Sequence, residues 1–272
     1  MRGFVVFTDG NTDIPAEYQS RVEMLPQYYY FNPDELYGDE KVLDRDTYFK
    51  TLETTRAYTA GCNPDLVHRK FEKVLKEGKD IVCITFSSEM SGSYNTICVV
   101  ASELQEEYPD AVIEVIDSRS ATLGTAFLCL DALDAADAGK SASEATQIVR
   151  ERLEKIEIYF LVDEFKYLVQ GGRVSPTVGK IGDILSIKPI LTIQDGKIVL
   201  FKKVRGQNMA FKSIKEMVDA QENARVGAIY VHSQELFDKC VKAVPCETDI
   251  KLNLIISSHV GPRTTGIAIE RK

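Results

Sequence analysis

The chain lacks a basic excess. Its 33 Lys and Arg stand against 41 Asp and Glu, a formal net charge of −8, whereas a nucleic-acid binder needs a basic footprint to displace counterions from phosphates. No nucleic-acid partner is expected. A local anion site stays compatible with that balance, because backbone N–H groups and a helix dipole can hold a small anion in an acidic protein. Histidine is scarce too. His68, His232 and His259 have no metal-ligand spacing, so the sequence supports no metal site. The six cysteines form no CxxC pair, and several lie inside apolar runs, as Cys83 does, which reads as core thiols. No apolar stretch reaches the roughly 18 residues of a membrane span, so no integral membrane segment is expected. The opening FVVFT reads as a strand without a signal-peptide apolar region, and the expected location is cytoplasmic. A GxxxxGK[ST] phosphate loop and a GxSxG nucleophile elbow are both missing. No cofactor is expected.

What remains is a folding composition: 272 residues, 44% hydrophobic and 27% charged, enough for one large core or two of the usual roughly 100 to 150 residues. Short β-branched runs bounded by turn signals predict strands at Phe4–Phe7, Ile81–Phe86, Val112–Ile116, Ile158–Val162, Lys188–Ile193, Ile198–Lys202, Val226–Val231 and Leu252–Ile256. Between most of them lie segments with apolar residues three and four apart, such as Phe71, Val74 and Leu75, or Phe211, Ile214 and Met217. The alternation predicts an α/β fold. Asn63-Pro64-Asp65 reads as a helix start, with cap, first-turn proline and acidic residue, and Ser141 to Glu144 as another. A boundary after that second helix gives two α/β domains, 1–155 and 156–272. Asp195-Gly196 between two apolar runs predicts a hairpin, and hence antiparallel pairing in the second domain.

Three segments carry candidate chemistry. Thr85 to Thr96 reads as strand, hydroxyl-rich loop and helix start. Exposed N–H groups at a helix start, flanked by Ser91, Gly92 and Ser93, make a cradle for a carboxylate or phosphate. Ser91 as a plain N-cap explains the same residues. Thr59–Asn63 is a second loop of small residues, and His259-Val-Gly-Pro a third, following the expected strand at Leu252–Ile256. If all three end at strand carboxyl ends, Thr59, Ser91 and His259 converge on one anion; taken alone, His259 is as well explained as a structural imidazole. Paired Gly171-Gly172 reads as a left-handed helix stop, and Arg173 as either an anion or partner contact or a donor to helix carbonyls. The aliphatic run from Ile181 to Ile193 suits a core or an acyl tunnel.

Together these segments resemble, in order and across nearly the whole chain, the DegV family of bacterial lipid-binding proteins. FTDGNTDIPAEY is similar to the family's TDS-x-x-DLP start, departing at Gly10 and Asn11. YTAGCNP keeps Thr59 and Pro64 of a TSQPSP-like loop. SSEMSGSYNT resembles SS-x-LSGTYQ, VIDSRSATLG the DS-x-x-x-x-G turn, and YLVQGGRVS with LSIKPIL the most distinctive signature; VRGQNMA and SHVGPRTTGI complete it. The resemblance implies two α/β domains, the first with a mostly parallel sheet and the second with a mixed one, and a ligand tunnel between them. It implies a long-chain fatty acid whose carboxylate meets Thr59, Ser91 and His259, beside Gly92 and Ser93. It also implies a partner fatty acid kinase that phosphorylates the bound carboxylate, with Arg173 and Arg205 as candidate phosphate or partner contacts, and transient membrane contact. Ala60, Gly61, Cys62 and Arg263 depart from the pattern, which bears on head-group chemistry or chain preference. The rival reading is an acyl hydrolase or acyltransferase with Ser91 as nucleophile and His259 as base; no orienting carboxylate is assigned from the sequence.

Overall fold

The computed structural model describes residues 2–38, 41–174 and 187–272. In chain order the elements are β1 (Phe4–Asp9), a 3-10 turn (Ala16–Arg21), β2 (Val22–Leu25), β3 (Tyr28–Tyr30), β4 (Tyr37–Gly38), α1 (Arg45–Thr54), β5 (Tyr58–Ala60), α2 (Pro64–Lys76), β6 (Asp80–Thr85), α3 (Ser93–Glu107), β7 (Ile113–Asp117), α4 (Thr122–Asp137) and α5 (Ala142–Arg152). There follow β8 (Ile156–Val162), α6 (Lys166–Gln170), β9 (Ile187–Gln194), β10 (Lys197–Arg205), α7 (Gln207–Asp219), β11 (Arg225–Tyr230), α8 (Gln234–Ala243), β12 (Thr248–Lys251), α9 (Leu254–Val260) and β13 (Thr264–Glu270).

Two main sheets organise these elements. The first, in the order β2-β1-β6-β7, is parallel throughout. The second, in the order β10-β9-β8-β13-β11-β12, is mixed, its one parallel pair among the described residues being β11 with β12. A small antiparallel sheet, β4-β3-β5, packs against α9. The fold is thus α/β with one parallel and one mixed sheet.

Local chemistry fixes most boundaries. Asn63 Oδ1 accepts from the N–H groups of Asp65 (2.9 Å) and Leu66 (3.3 Å) ahead of Pro64. Ser141 and Glu144 form a reciprocal capping box at α5. α6 ends in paired reversed hydrogen bonds, Gly172 N–H to Val169 O and Arg173 N–H to Leu168 O, both 3.0 Å, with Gly172 at φ 72°. Asp195 and Gly196, at φ 51° and 79°, make the two-residue turn between β9 and β10.

The layers follow from where apolar surface must go. α2 and α3 cover one face of the parallel sheet through Val67, Phe71, Ile97 and Leu104, and α7 and α8 cover one face of the mixed sheet through Phe211, Ile214, Leu236 and Cys240. α4 is different. Thirteen of its sixteen residues are buried, so no face can meet water and both faces need cover. It packs on β1 and β6 on one side and on β8 and β13 on the other, and the facing surfaces of the two sheets share one core around it.

Two expectations change. Leu252–Ile256 is not a strand: β12 stops at Lys251, and Leu254–Val260 is helical. Asn253 Oδ1 accepts from Ile256 N–H at 3.0 Å and so caps the helix. Six of the seven helical residues are buried, so no polar face reveals the helical period. Thr59 does not lie in a loop either but in β5, opposite Tyr29 of β3. Residues 181–186 of the aliphatic run, and Ser175, lie outside the described residues.

A buried acid pair joins α4 to the mixed sheet. Asp131 and Glu270 are 8% and 5% exposed, and Arg225 Nη1 lies 3.0 Å from Glu270 Oε2 and 3.6 Å from Asp131 Oδ1, with Asp134 3.9 Å from its other nitrogen. Burial, and then the Asp131 side chain beside it, push the Glu270 carboxyl up to about 8, and burial raises Asp131 as well. The native pair therefore keeps a proton that the unfolded chain has released, so its stabilisation is full in acid and is lost as the pH rises through about 8. Glu270→Gln should flatten this dependence. Calorimetric melting at pH 6 and pH 9 is expected to show a fall in wild-type Tm at least about 3 °C larger than in the variant; equal falls would contradict it.

Candidate functional site

A cavity of ≈ 460 Å³ opens beyond the first turn of α4, between the two sheets. Much of its wall is aliphatic or aromatic: Phe86 and Met90 after β6, Ile158 and Phe160 from β8, Ile193 and Ile198 from the hairpin, and Ile229 of β11. The expected polar residues reach the wall from four places in the chain. Thr59 lies on β5, Ser91, Gly92 and Ser93 open α3, His259 sits in the last turn of α9, and Arg173 follows α6. The structure brings six of the seven expected residues to one cavity. Arg205 is not brought there: it is exposed at the end of β10. Arg263 also stands apart, its Nε 2.7 Å from Asp163 Oδ2.

The residues converge in space by a route other than the one the sequence suggests. Only the Ser91 segment follows a strand of the parallel sheet; Thr59 arrives on the small sheet and His259 on a helix. Thr59 Oγ1 is 3.0 Å from His259 Nε2. Burial is the main cause, with the positive charges of Arg173 and Arg56 second, that lowers the His259 imidazole to about 3. Its Nδ1 has no hydrogen-bond partner among the described residues. Gly171 packs against that atom so closely that a Cβ there would overlap it.

Ser91 does not cap α3 directly. Gly92 holds the cap position without a side-chain bond, while Ser91 Oγ accepts from Ser93 N–H at 3.3 Å. Ser93 Oγ is the hub: Gln27 Nε2 donates to it at 2.6 Å, Cys62 N–H at 3.2 Å and Ser91 Oγ at 3.1 Å. A hydroxyl has two lone pairs. The amide and backbone donors are fixed, so the Ser91 hydroxyl is the one free to rotate toward a ligand, and the Ser93 proton is itself uncommitted. Gln27, 2% exposed between β2 and β3, is a site residue that the sequence reading missed; a lone amide beside the aromatic run Tyr28–Tyr30 gives little signal. The departures at Ala60, Gly61 and Cys62 all face the cavity, and Gly61 lies where a Cβ would stand 3.0 Å from Ser93 Oγ.

Arg173 tethers two edges of the site. Its Nε donates to Met90 O at 3.1 Å, just before Ser91, and its Nη1 to Gly171 O, beside His259. Burial draws its guanidinium below the ordinary value, yet arginine stays charged. The arrangement is a neutral imidazole, three hydroxyls and one cation at the mouth of an apolar chamber. Such a set is suited to accept a carboxylate on a long hydrocarbon. No group of three His, Cys, Asp or Glu able to hold a metal occurs among the described residues, and none of the described helices is long and apolar enough to cross a membrane.

Fold and site together define a class: an α/β protein with a largely apolar cavity between two sheets, part of whose wall is built from hydroxyls, an imidazole and a guanidinium. The sequence model of the DegV family of uncharacterised proteins matches residues 3–272, and the chain belongs to that family. A DegV domain-containing protein of Clostridium perfringens is 30% identical over 280 residues, covering 98% of each chain, and one of Caldanaerobacter subterraneus is 31% identical over 287 residues, covering 100% of each. Among solved structures, a stearic-acid-binding protein of Eubacterium ventriosum superposes with a TM-score of 0.88 at 24% identity, covering 99% of this chain and 98% of that one. A DegV family protein of Eubacterium eligens loaded with heptadecanoic acid superposes at 0.86 with 22% identity, covering 99% and 100%.

Because the folded value of His259 lies well below the usual one, the ring should remain neutral throughout the range where histidine ordinarily titrates, about pH 5 to 8. Nitrogen-15 NMR of labelled histidine is expected to show no titration for this residue across that range. A titration near 6.5 would contradict the buried, cation-flanked geometry.

Proposed function

We propose that the chain binds a long-chain fatty acid, holds its carboxylate at Thr59, Ser91, Ser93 and His259, and presents it to a separate fatty acid kinase. The observation that carries the reading is the joining of one aliphatic chamber to one hydroxyl and imidazole cluster. Two relatives of the same fold are described as binding stearic acid and as loaded with heptadecanoic acid. Residues 1–155 and 156–272 act as the two α/β domains that enclose the ligand, and the expected location is cytoplasmic.

The energetics favour a long ligand. Each methylene removed from water contributes about 0.8 kcal/mol, so the chain supplies most of the affinity. Burying the carboxylate costs several kcal/mol unless hydrogen bonds replace its water, at roughly 1.5 to 3 kcal/mol for each charge-assisted bond. With His259 neutral, Nδ1 without a partner and Nε2 beside Thr59 Oγ1, the favoured tautomer carries its proton on Nε2. That proton goes to Thr59 Oγ1, which frees the Thr59 hydroxyl to donate to the carboxylate. Ser91 and Ser93 add two further donors, and Arg173 supplies the compensating charge.

The same geometry favours a carrier over a hydrolase. His259 is engaged by Thr59 and not by Ser91, and no described carboxylate bonds to Nδ1 to orient the ring as a general base. Phosphorylation of the carboxylate is assigned to the kinase. Exposed Arg205 is available to that partner, and Arg173 to the acyl phosphate.

Thr59→Ala combined with Ser91→Ala removes two donors to the carboxylate. Fatty acid affinity, measured by titration of delipidated protein with oleate or palmitate, should fall by at least about a hundredfold while the delipidated protein stays folded, with a cooperative melt at a modestly lower Tm. Undiminished affinity would overturn the site assignment. Turnover of a p-nitrophenyl ester by the chain alone would favour the hydrolase reading instead.

A further inference from the structure

Gln27 is a buried amide whose partners belong to the head-group cluster. It is 2% exposed and lines the cavity, and its Nε2 donates to Ser93 Oγ at 2.6 Å and to Cys62 Sγ at 3.7 Å. These two partners fix which end of the amide faces them. Burial pushes the Cys62 thiol up to about 12, so the thiol keeps its proton, and Sγ directs that proton to Leu25 O at 3.9 Å. Toward Gln27 the sulfur is left with lone pairs alone and calls for a donor. The NH2 end of the amide supplies two hydrogens, one for each partner.

That orientation sets the direction of the neighbouring hydroxyls. Ser93 Oγ has two lone pairs, and the Gln27 amide and the Cys62 N–H fill them. The Ser93 proton cannot turn toward Gln27, so it is left for Ser91 Oγ, 3.1 Å away, or for the ligand. Ser91 finds no free lone pair on Ser93, and its own Oγ already accepts from Ser93 N–H. Its proton therefore turns to the cavity that Ser91 lines. With the oxygen end of the amide against Ser93 the chain would run the other way: Ser93 would donate to Gln27 and Ser91 to Ser93, and the ligand would meet a Ser91 lone pair.

We propose that Gln27 is a positioning residue: acting through Ser93, its amide turns the Ser91 and Ser93 hydroxyls into donors and makes the site select an ionised carboxylate over a neutral polar head on the same chain. The inference rests on the chamber being an acyl site. Both amide hydrogens are committed to Ser93 and Cys62, so Gln27 itself adds no bond to the ligand. A carboxylate is acceptor-only and takes a proton from each hydroxyl ordered in this way, and such charge-assisted bonds are the stronger ones. An alcohol brings a proton of its own, for which the ordered pair offers few lone pairs, and leaving that proton buried without a partner is costly.

The test compares palmitic acid with hexadecanol, equal in chain and different in head, by equilibrium binding to delipidated protein. The wild type is expected to hold the acid at least about tenfold more tightly than the alcohol. Gln27→Met keeps the length of the side chain and loses both donors. It should lower the ratio of acid to alcohol affinity about tenfold, with the alcohol within about threefold of its wild-type affinity. Gln27→Leu is expected to do the same, and either folded variant decides the matter. Parallel loss of both ligands would mark a purely structural role and overturn the assignment. So would an unchanged ratio in a folded variant, or equal binding of acid and alcohol by the wild type. Wild-type protein that binds neither ligand would instead defeat the fatty acid reading, and the role of Gln27 with it.

Discussion

The burial demanded by α4 governs the rest of the molecule. A helix with this many apolar residues and no polar face cannot lie on a surface, so each main sheet must offer it a face. This stacks the parallel and mixed sheets on either side of one helical layer, in which α5 packs beside α4. The cavity continues that layer. Where α4 begins, at Ala121 and Thr122, the space between the sheets passes from helix to cavity, and strand residues that would otherwise pack on helix line it. A single constraint thus produces both the shared core and an enclosed, mostly apolar space.

The polar end depends on anchors that hold four separate segments in register. Asp9, fully buried, accepts from the N–H groups of Asn11 and Phe86 and so fixes the turns after β1 and β6; burial raises its carboxyl to about 6. Asp13 Oδ1 accepts from Asn253 N–H and Nδ2, tying the turn after β1 to the cap of α9. Tyr48 of α1 bonds Leu254 O and Ser258 Oγ, gripping α9 from the other side. Arg173 links the Ser91 segment to Gly171. These are buried polar contacts with defined partners, which specify position where apolar packing alone would not. They place the Thr59 and His259 side chains within hydrogen-bond distance although 200 residues separate them in the chain.

Elements with strong local chemistry were legible in the sequence. The Asn63 and Ser141 caps, the Gly171-Gly172 stop and the Asp195-Gly196 turn each rest on a few adjacent residues and appear in the structure where those residues place them. Thr59, Ser91, Ser93 and His259, which line the cavity, were legible too, more through their order along the chain and the family resemblance than through their residue types. Other features depend on partners far away in sequence. β13 is a seven-residue strand with every residue buried, yet it follows a turn with no alternation to mark it. α9 reads as a strand because burial on all sides erases its period. Gln27 joins the site through Ser93 and Cys62, both far from it in the chain. Local signals report how the chain turns; pairing, burial and satisfaction are properties of the assembled core.

The central claim is that the chamber between the sheets holds a fatty acid. Mass spectrometry of an organic extract from the purified, natively folded protein tests it most directly, because a ligand enclosed in this way should survive purification. About one long-chain fatty acid per chain is expected, lost when the hydroxyls at Thr59 and Ser91 are removed. A wild-type extract free of fatty acid, from protein that also fails to take up added stearic or oleic acid, would contradict it.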